Sequence, residues 1–295
     1  MTKVNSIKVS SEKYPKRLAE TENPPEKLYY KGNYRNELFK DCLAVVGTRQ
    51  MTKYGRKATK KLVTEIAANG ITIVSGFMYG LDAKAHQSAL KVNGNTIAVM
   101  PCGIKRINPS HQKDLYKEIL QKEGLIMSEL PENTKAKKWT FVKRNRIVAG
   151  LSQATLVIEG GPDSGTLITA EKAKEYNRKL FAVPCPITSE VSKAPNSLIK
   201  NKAQAVTKPE DILKFFNVKN KENQKEASKT SKDKPNNQTE KEIIKLLKRE
   251  SLTMDEISEK TPQEIDSKKL NTTLSKMELS GKIEEESGKY YVNKT

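Results

Sequence analysis

The sequence has few of the residues that build metal sites and disulfide frameworks. Its 295 residues include only three cysteines and two histidines. Cys42, Cys102 and Cys185 are far apart with no CxxC pair, and His86 and His111 are isolated. This spacing does not match a zinc or disulfide pattern and favours free thiols in a reducing compartment. We therefore expect no metal and no cofactor.

Long apolar runs are also missing. No stretch approaches the roughly 18 apolar residues that a membrane-spanning helix needs. The first residues, MTKVNSIKVS, lack the apolar core of a signal peptide. These absences predict a cytoplasmic protein with no membrane partner.

The charge is strongly positive and unevenly placed. The chain has a formal net charge of +19, and residues 1–216 hold 37 Lys/Arg against 20 Asp/Glu. Residues 239–295 hold 11 and 12, so the basic character belongs to the first part of the chain. A polyanionic partner is expected there, although a lysine-rich composition is the simpler alternative. Only nine basic residues are Arg, and three of these are Arg49, Arg144 and Arg146.

Strand and helix patterns alternate from residue 41 to residue 216. Apolar Val/Ile-rich runs alternate with longer amphipathic segments, which predicts an α/β fold: an extended Rossmann-like, doubly wound domain with a mainly parallel sheet. Residues 1–40 contain three prolines in YPKRLAETENPPEKLYYKGN and are expected to pack on this domain as a small cap. Strands are predicted at 43–46, 71–74, 96–100, 125–127, 154–159 and 180–183, with helices at 53–69, 82–92, 111–123, 140–151 and 166–177.

Two further segments follow. Residues 217–238 contain one Val, one Ala and no aromatic residue, which predicts a disordered linker. Residues 239–295 show three helical segments and then a hairpin pattern turning at Ser287-Gly288. That order is typical of a winged helix, and a three-helix bundle with a frayed tail is the alternative. The net charge of −1 favours a protein contact over duplex binding for this part.

The segment from 141 to 171 carries the strongest functional signal. Gly160 to Thr166 follow the strand predicted at 154–159 and open a helix, so free backbone N–H groups point out of that helix start. Before the strand lies a basic loop with Arg144, Asn145 and Arg146. Forked guanidiniums beside a glycine-rich helix start suit a phosphate, either of a nucleotide or of a nucleic acid.

Aromatic residues lie beside these cations. Trp139 and Phe141 precede Arg144, and this interleaving is typical of proteins that hold single strands by stacking bases and binding phosphates. Both rings could equally be core residues of the helix predicted at 140–151. We favour the surface for Phe141 and leave Trp139 open.

The enzyme motifs near this site are incomplete. The turn after the first strand, VVGTRQ, has the single glycine Gly47 where a dinucleotide fingerprint needs three. GGPDSGTL has Walker-A glycine spacing, but Thr166 stands at the lysine position. The loop is also similar to the PGGxGTxxE loop of nucleotide phosphoribohydrolases, yet Glu171 is displaced by one residue, about 100° around a helix. Asp82 suits a helix start, and this capping role is sufficient to explain it. His86, four residues later on the same helical face, allows a dyad with Asp82, although a structural histidine is the more common arrangement.

The ordered motifs resemble the DNA-processing protein A family, known as DprA or Smf. They are YPKRL, PPEKLYYKGN, VVGTRQMTKYG, VSGFMYGLDAKAH, IAVMPCGIKRINP, SELP, FVKRNRIVAGLS, VIEGGPDSGTLITA and VPCPI, over roughly residues 14–216. The resemblance implies a dimeric protein that binds single-stranded DNA, protects incoming DNA in natural transformation and helps load RecA recombinase, without catalytic turnover. The family usually has Arg-Gly where this chain has Tyr79-Gly80, and Gly where it has Cys185.

The resemblance also implies a DNA pocket. Its predicted residues are Gly47, Thr48, Arg49, Ser75, Gly76, Phe141, Lys143, Arg144, Asn145, Arg146, Ser164, Gly165, Thr166 and Thr169. Arg144 and Arg146 are two apart and cannot share one helix face, so we expect one to clamp a phosphate and the other to brace the pocket against Glu159. A nucleotide- or nucleoside-phosphate enzyme and a winged-helix transcriptional regulator remain the alternative functions.

Overall fold

A computed structural model of the chain describes residues 3–218, 238–261, 267–279, 282–286 and 288–292. The chain divides near residue 220 into two units, each with its own apolar core. Most of the predicted linker, residues 219–237, lies outside the described residues. The domain boundaries therefore stay a prediction.

A nine-stranded sheet forms the centre of the first unit. Its strands are β1 (Asn5–Lys8), β2 (Lys27–Gly32), β3 (Cys42–Val46), β4 (Thr72–Gly76), β5 (Thr96–Val99), β6 (Leu125–Ser128), β7 (Ala154–Val157), β8 (Lys179–Ala182) and β9 (Gln204–Ala205). Their order in the sheet is β1-β2-β6-β5-β4-β3-β7-β8-β9. The strands from β6 to β9 are parallel, whereas β1 and β2 join antiparallel at one edge.

Helices connect the parallel strands and cover both faces. They are α1 (Lys16–Ala19), α2 (Lys53–Ala68), α3 (Leu81–Leu90), α4 (Lys113–Gln121), α5 (Lys138–Leu151), α6 (Gly165–Glu175), α7 (Lys193–Lys200) and α8 (Glu210–Leu213). One core joins strand residues such as Val46 and Val74 to Ile147 and Val148 of α5. The opposite core joins Leu43, with other strand residues, to α2 and α3. Strands buried on both faces tolerate continuous Val/Ile/Leu runs, so the α/β, doubly wound fold class is confirmed.

Two local predictions about the first unit are wrong. Residues 1–40 are not only a cap, because β1 and β2 extend the sheet and bury Ile7 and Leu28. The prolines between these two short strands obscured them in the sequence. The interpretation of the basic segment 141–146 as a loop is wrong, whereas the helix predicted at 140–151 over the same residues is found as α5, which begins at Lys138. The backbone N–H of Lys137 donates to Thr140 Oγ1 at 3.0 Å at the start of this helix.

The second unit contains three helices and a three-stranded antiparallel sheet among its described residues. The helices are α9 (Gln238–Leu247), α10 (Met254–Lys260) and α11 (Ser267–Leu279), and the strands are β10 (Leu252–Thr253), β11 (Ile283–Glu286) and β12 (Lys289–Val292), in the order β10-β12-β11. Ile243, Ile257, Leu270 and Ile283 are fully buried in its core. Ser287 of the predicted turn lies outside the described residues, and the winged-helix assignment stays a prediction.

Candidate nucleic-acid interface

A cavity of the first unit lies where the strand order of the sheet reverses. β3 has β4 on one side and β7 on the other, and the loops after these three strands meet at their carboxyl ends. Open α/β sheets bind ligands at such a switch point, because the two connections leave in opposite directions and open a crevice. Here the crevice is a cavity of about 590 Å³, which we call the switch-point cavity. It is lined by Val46, Gly47, Thr48, Arg49, Gln50, Gly76, Met78, Tyr79, Asp82, Lys138, Phe141, Val142, Arg144, Asn145, Val148, Ser164, Gly165, Thr166, Ile168 and Thr169.

A buried ion pair forms the floor of the switch-point cavity. Arg144 projects from α5 with only 7% of its surface exposed, and its Nη1 donates to the Val99 carbonyl at 2.7 Å. Its Nη2 lies 3.8 Å from Asp82 Oδ2, at the start of α3. A Cβ on Gly76 would overlap both the guanidinium and this carboxylate, so only glycine lets β4 pass beneath the pair.

Burial opposes charge on both members of this pair. It raises the pKa of Asp82, and the nearby Arg144 guanidinium partly offsets that rise. It lowers the pKa of Arg144, with Asp82 acting in the opposite direction. Since each charge is compensated mainly by the other, loss of either would leave an unpaired charge in the floor.

His86 is a structural residue and not the partner of Asp82. Its Nδ1 lies 2.7 Å from Thr96 Oγ1 and its Nε2 2.7 Å from the Gly76 carbonyl. Because the ring is fully buried, its pKa is lowered to about 4. The dyad considered from the sequence is therefore wrong, and His86 holds β4, β5 and α3 together.

The mouth of the switch-point cavity combines a cation with an aromatic ring. The Arg49 guanidinium carbon lies 5.2 Å from the centre of the Phe141 ring. Arg49 and Lys138 are exposed, whereas Phe141 is half-buried, and Trp139 beside it is 53% exposed. Exposed cations next to an accessible ring can bind a phosphate and a base at neighbouring positions.

Another wall of the switch-point cavity is the N-terminus of α6. Ser164 precedes the helix, and the first N–H groups of a helix have no partner within it. Asn145 Nδ2 donates to the Gly165 carbonyl at 3.1 Å, which ties α5 to this turn. Ser164 Oγ is buried and has no hydrogen-bond partner among the described residues. The wall thus presents donors to an anion while its position is fixed from α5.

Glu159 braces the site, but not against an arginine. Its carboxylate accepts from the backbone N–H of Thr52 at 3.0 Å and from the Thr52 hydroxyl. It thereby joins the end of β7 to the start of α2. The brace predicted between an arginine and Glu159 is wrong, because Arg146 instead pairs with Glu129 and donates to the Asn23 carbonyl.

The structure brings together eleven of the fourteen residues predicted for the DNA pocket. Ser75, Lys143 and Arg146 do not line the switch-point cavity. Ser75 Oγ donates to the Val45 carbonyl inside the sheet. Lys143 Nζ lies 3.2 Å from Glu129 Oε1, and the same carboxylate pairs with Arg146. The eleven residues in the lining are Gly47, Thr48, Arg49, Gly76, Phe141, Arg144, Asn145, Ser164, Gly165, Thr166 and Thr169.

Several lining residues were missed. Lys138 was not singled out because the helix was predicted to begin at residue 140, so its first turn was overlooked. Gln50 follows Arg49 and carried no separate signal. Glu171, the residue compared with a catalytic glutamate, is exposed on α6 and does not line the switch-point cavity.

The described part of the chain lacks two further features. None of its helices is long and apolar enough to cross a membrane. It also contains no group of three or more His, Cys, Asp or Glu side chains placed to hold a metal ion.

Comparison with known proteins gives a consistent family. The sequence profile of DNA recombination-mediator protein A matches residues 5–217. The DNA processing protein DprA of Bacillus subtilis is 36% identical over 217 residues, covering 74% of this chain and 73% of that protein. Protein Smf of Synechocystis sp. is 40% identical over 203 residues, or 68% of this chain and 51% of that protein. The match therefore spans about half of the Synechocystis protein.

Solved structures with the same fold include two from related proteins. DNA processing protein A of Streptococcus pneumoniae is 37% identical with a TM-score of 0.68, over 72% of this chain and 74% of that one. A Helicobacter pylori DNA processing protein A, described by its single-stranded DNA binding mode, is 30% identical with a TM-score of 0.65. That alignment covers 73% of this chain and 98% of the Helicobacter chain.

Proposed function

Because the chain belongs to the family of DNA recombination-mediator protein A, we propose that it binds single-stranded DNA in the switch-point cavity. The observation that carries the proposal is the mouth of that cavity, where Arg49 lies over the Phe141 ring and where the N-terminus of α6 lines the same cavity. The relative from Helicobacter pylori, whose structure is described by its single-stranded DNA binding mode, adds support.

The parts of the cavity have distinct tasks in this proposal. The α6 start and Arg49 bind backbone phosphates, because backbone N–H groups and a guanidinium both donate to phosphate oxygens. The Phe141 ring stacks on a base, which a duplex cannot offer because its bases are paired and stacked internally. The Arg144–Asp82 pair holds the floor, so Arg144 positions the site more than it neutralises phosphates.

The wider role is that of a recombination mediator. We propose that the protein holds incoming single strands in the cytoplasm as a homodimer and helps to load RecA recombinase onto them, without catalytic turnover. The resemblance of the ordered motifs supports this role. The net charge of +17 on residues 1–216 supports an extended contact with a polyanion.

The alternative is an enzyme acting on a nucleotide or nucleoside phosphate in the same cavity. The free α6 start and the 590 Å³ volume would suit such a ligand. Its acid would have to be Asp82, whose carboxylate is engaged with Arg144 and with the Met78 backbone N–H at 3.4 Å. The comparison with Glu171 gives no support, because that residue lies outside the lining.

A competition experiment tests the proposal. The full chain is incubated with a labelled single strand, and unlabelled single strand or duplex of the same sequence is added over a range of salt concentrations. We expect the single strand to compete better and the affinity to fall steeply with salt, since each phosphate contact formed releases counterions and contributes about −0.7 to the slope of log K against log salt. Equal competition by duplex, or hydrolysis of added ATP or a nucleoside monophosphate that Arg49→Ala abolishes, would overturn it.

A further inference from the structure

A second cavity lies next to the switch-point cavity, between α2, α3 and the turn before α4. Its volume is about 500 Å³, within the range of ligand-binding pockets. Arg49, Gln50 and Tyr79 line both cavities, so the two share a border. An extended ligand that leaves one cavity across this border enters the other cavity.

The border is rigidly built. The backbone N–H of Leu81 donates to the Thr48 carbonyl at 3.1 Å, which fastens the loop after β4 to the loop after β3. Gly80 has a φ of +83°, and a Cβ there would overlap the Arg49 backbone. The loops therefore approach as closely as glycine allows, and Arg49 and Tyr79 are held side by side.

The second cavity is positively charged. Arg56 from α2 and Lys84 from α3 both line it, and neither forms an ion pair within residues 3–218. Burial together with Lys60, Arg56 and Lys91 lowers the pKa of Lys84, as expected for a cation crowded by like charges. Asp114 is the one carboxylate in the lining. The electrostatic repulsion between neighbouring cations that have no carboxylate partner decreases when an anion binds between them.

The second cavity also offers an aromatic surface. Tyr79 is 42% exposed, and its ring centre lies 6.1 Å from that of His111 at an angle of 46°. An exposed ring at the border of two cation-lined cavities is placed to stack on a base. The switch-point cavity repeats this combination with Phe141 and Arg49.

We propose that the second cavity binds the next nucleotides of the same single strand, with Tyr79 stacking on a base and with Arg56 and Lys84 binding phosphates. This inference rests on the proposed function of the switch-point cavity. It assigns a path to the bound strand, which passes over Tyr79 and then along the facing sides of α2 and α3.

Oligothymidines of increasing length test the phosphate contacts in the full chain. We compare the double variant Arg56→Gln/Lys84→Gln with Lys117→Gln/Lys174→Gln, which removes the same charge from exposed positions that line neither cavity. The first variant should bind strands long enough to span both cavities at least about tenfold more weakly, with a salt slope lower by about 1.4. The shortest strands that bind should be much less affected, and the control should behave like the wild type.

A single abasic nucleotide, moved along the strand, tests the stacking. In the wild type, abasic sites at Phe141 and at Tyr79 should both weaken binding, and the one at Tyr79 should do so by roughly fivefold or more because its stacking contact is lost. Tyr79→Ala should remove this positional effect, and Tyr79→Phe should restore it. Equal losses in both double variants, or the same abasic profile in Tyr79→Ala and wild type, would overturn the inference while leaving the proposed function intact. Failure of the wild type to bind any strand would overturn both.

Discussion

Gly76 is the position where one methyl group should disturb the floor of the switch-point cavity most directly. An added Cβ would overlap the Arg144 guanidinium and the Asp82 carboxylate. Both are side-chain ends and can move, but moving Arg144 gives up its hydrogen bond to the Val99 carbonyl and separates a buried ion pair. Leaving such groups unsatisfied costs about 1–3 kcal/mol. For a unit of this size we expect Gly76→Ala to lower the Tm by roughly 2–12 °C.

Gly161→Ala is the matched control for this prediction. A Cβ at Gly161, in the loop before α6, meets no atom within 4 Å, and its stability should change by less than about 0.5 kcal/mol. The assay is thermal unfolding followed by circular dichroism, with single-strand binding measured on the same samples. Gly76→Ala should also bind more weakly, because it displaces Arg144 from the floor that positions the cavity. Equal Tm values for the two variants would refute the close packing of the floor.

The remaining predictions concern other parts of the first unit. Arg146→Ala should destabilise the protein by about 1–3 kcal/mol, because Glu129 loses its better-buried partner. The Lys143 side chain is 44% exposed, so Lys143→Ala should cost no more than about 1 kcal/mol. Chemical denaturation measures both losses, and the reverse order would contradict this assignment. The pKa of His86 is about 4 in the folded protein, whereas the unfolded chain binds the proton below about pH 6.5. The free energy of unfolding therefore decreases as the pH is lowered from about 6.5 to about 4. At about pH 5 the loss should be about 2 kcal/mol relative to neutral pH, and His86→Gln should flatten this slope; an unchanged slope would show that other groups cause it. A chain truncated after residue 220 should retain single-strand binding, and tighter binding by residues 239–295 alone would contradict the placement of the site.

The parallel strands and their helices were predictable because their signals are local. Strands buried on both faces, such as Cys42–Val46, are continuous apolar runs. Gly70 follows α2 before β4, and Gly124 follows α4 before β6, so both glycines mark the end of a helix. The N-terminal strands were not predictable in the same way. Tyr29 pairs with Ser128, about a hundred residues later, and nothing near β2 in the sequence specifies that partner.

The candidate site was predictable in position more than in detail. The loops after β3 and β7 could be placed together because carboxyl ends of parallel strands share one edge. The roles of the arginines could not be predicted from the sequence, because they depend on which acidic side chain the fold brings near each guanidinium. Glu159 and Glu129 are equally plausible partners of Arg146 in the sequence, and only the fold places Glu129 beside it. Arg144 likewise reaches Asp82, 62 positions earlier in the chain, across β4.

Arg49 and Arg106 together provide the most direct test of the central claim. Both are arginines of the first unit, but Arg49 lies at the mouth of the switch-point cavity, whereas Arg106 donates to the Asn133 carbonyl and lines neither cavity. The measurement is the equilibrium affinity of the full chain for a fluorescent single strand at fixed salt. We expect Arg49→Ala to lower the affinity about tenfold or more, the value of one charge-assisted contact, and Arg106→Ala to leave it nearly unchanged. Equal losses in the two variants would show that the strand follows the general positive charge and not this cavity.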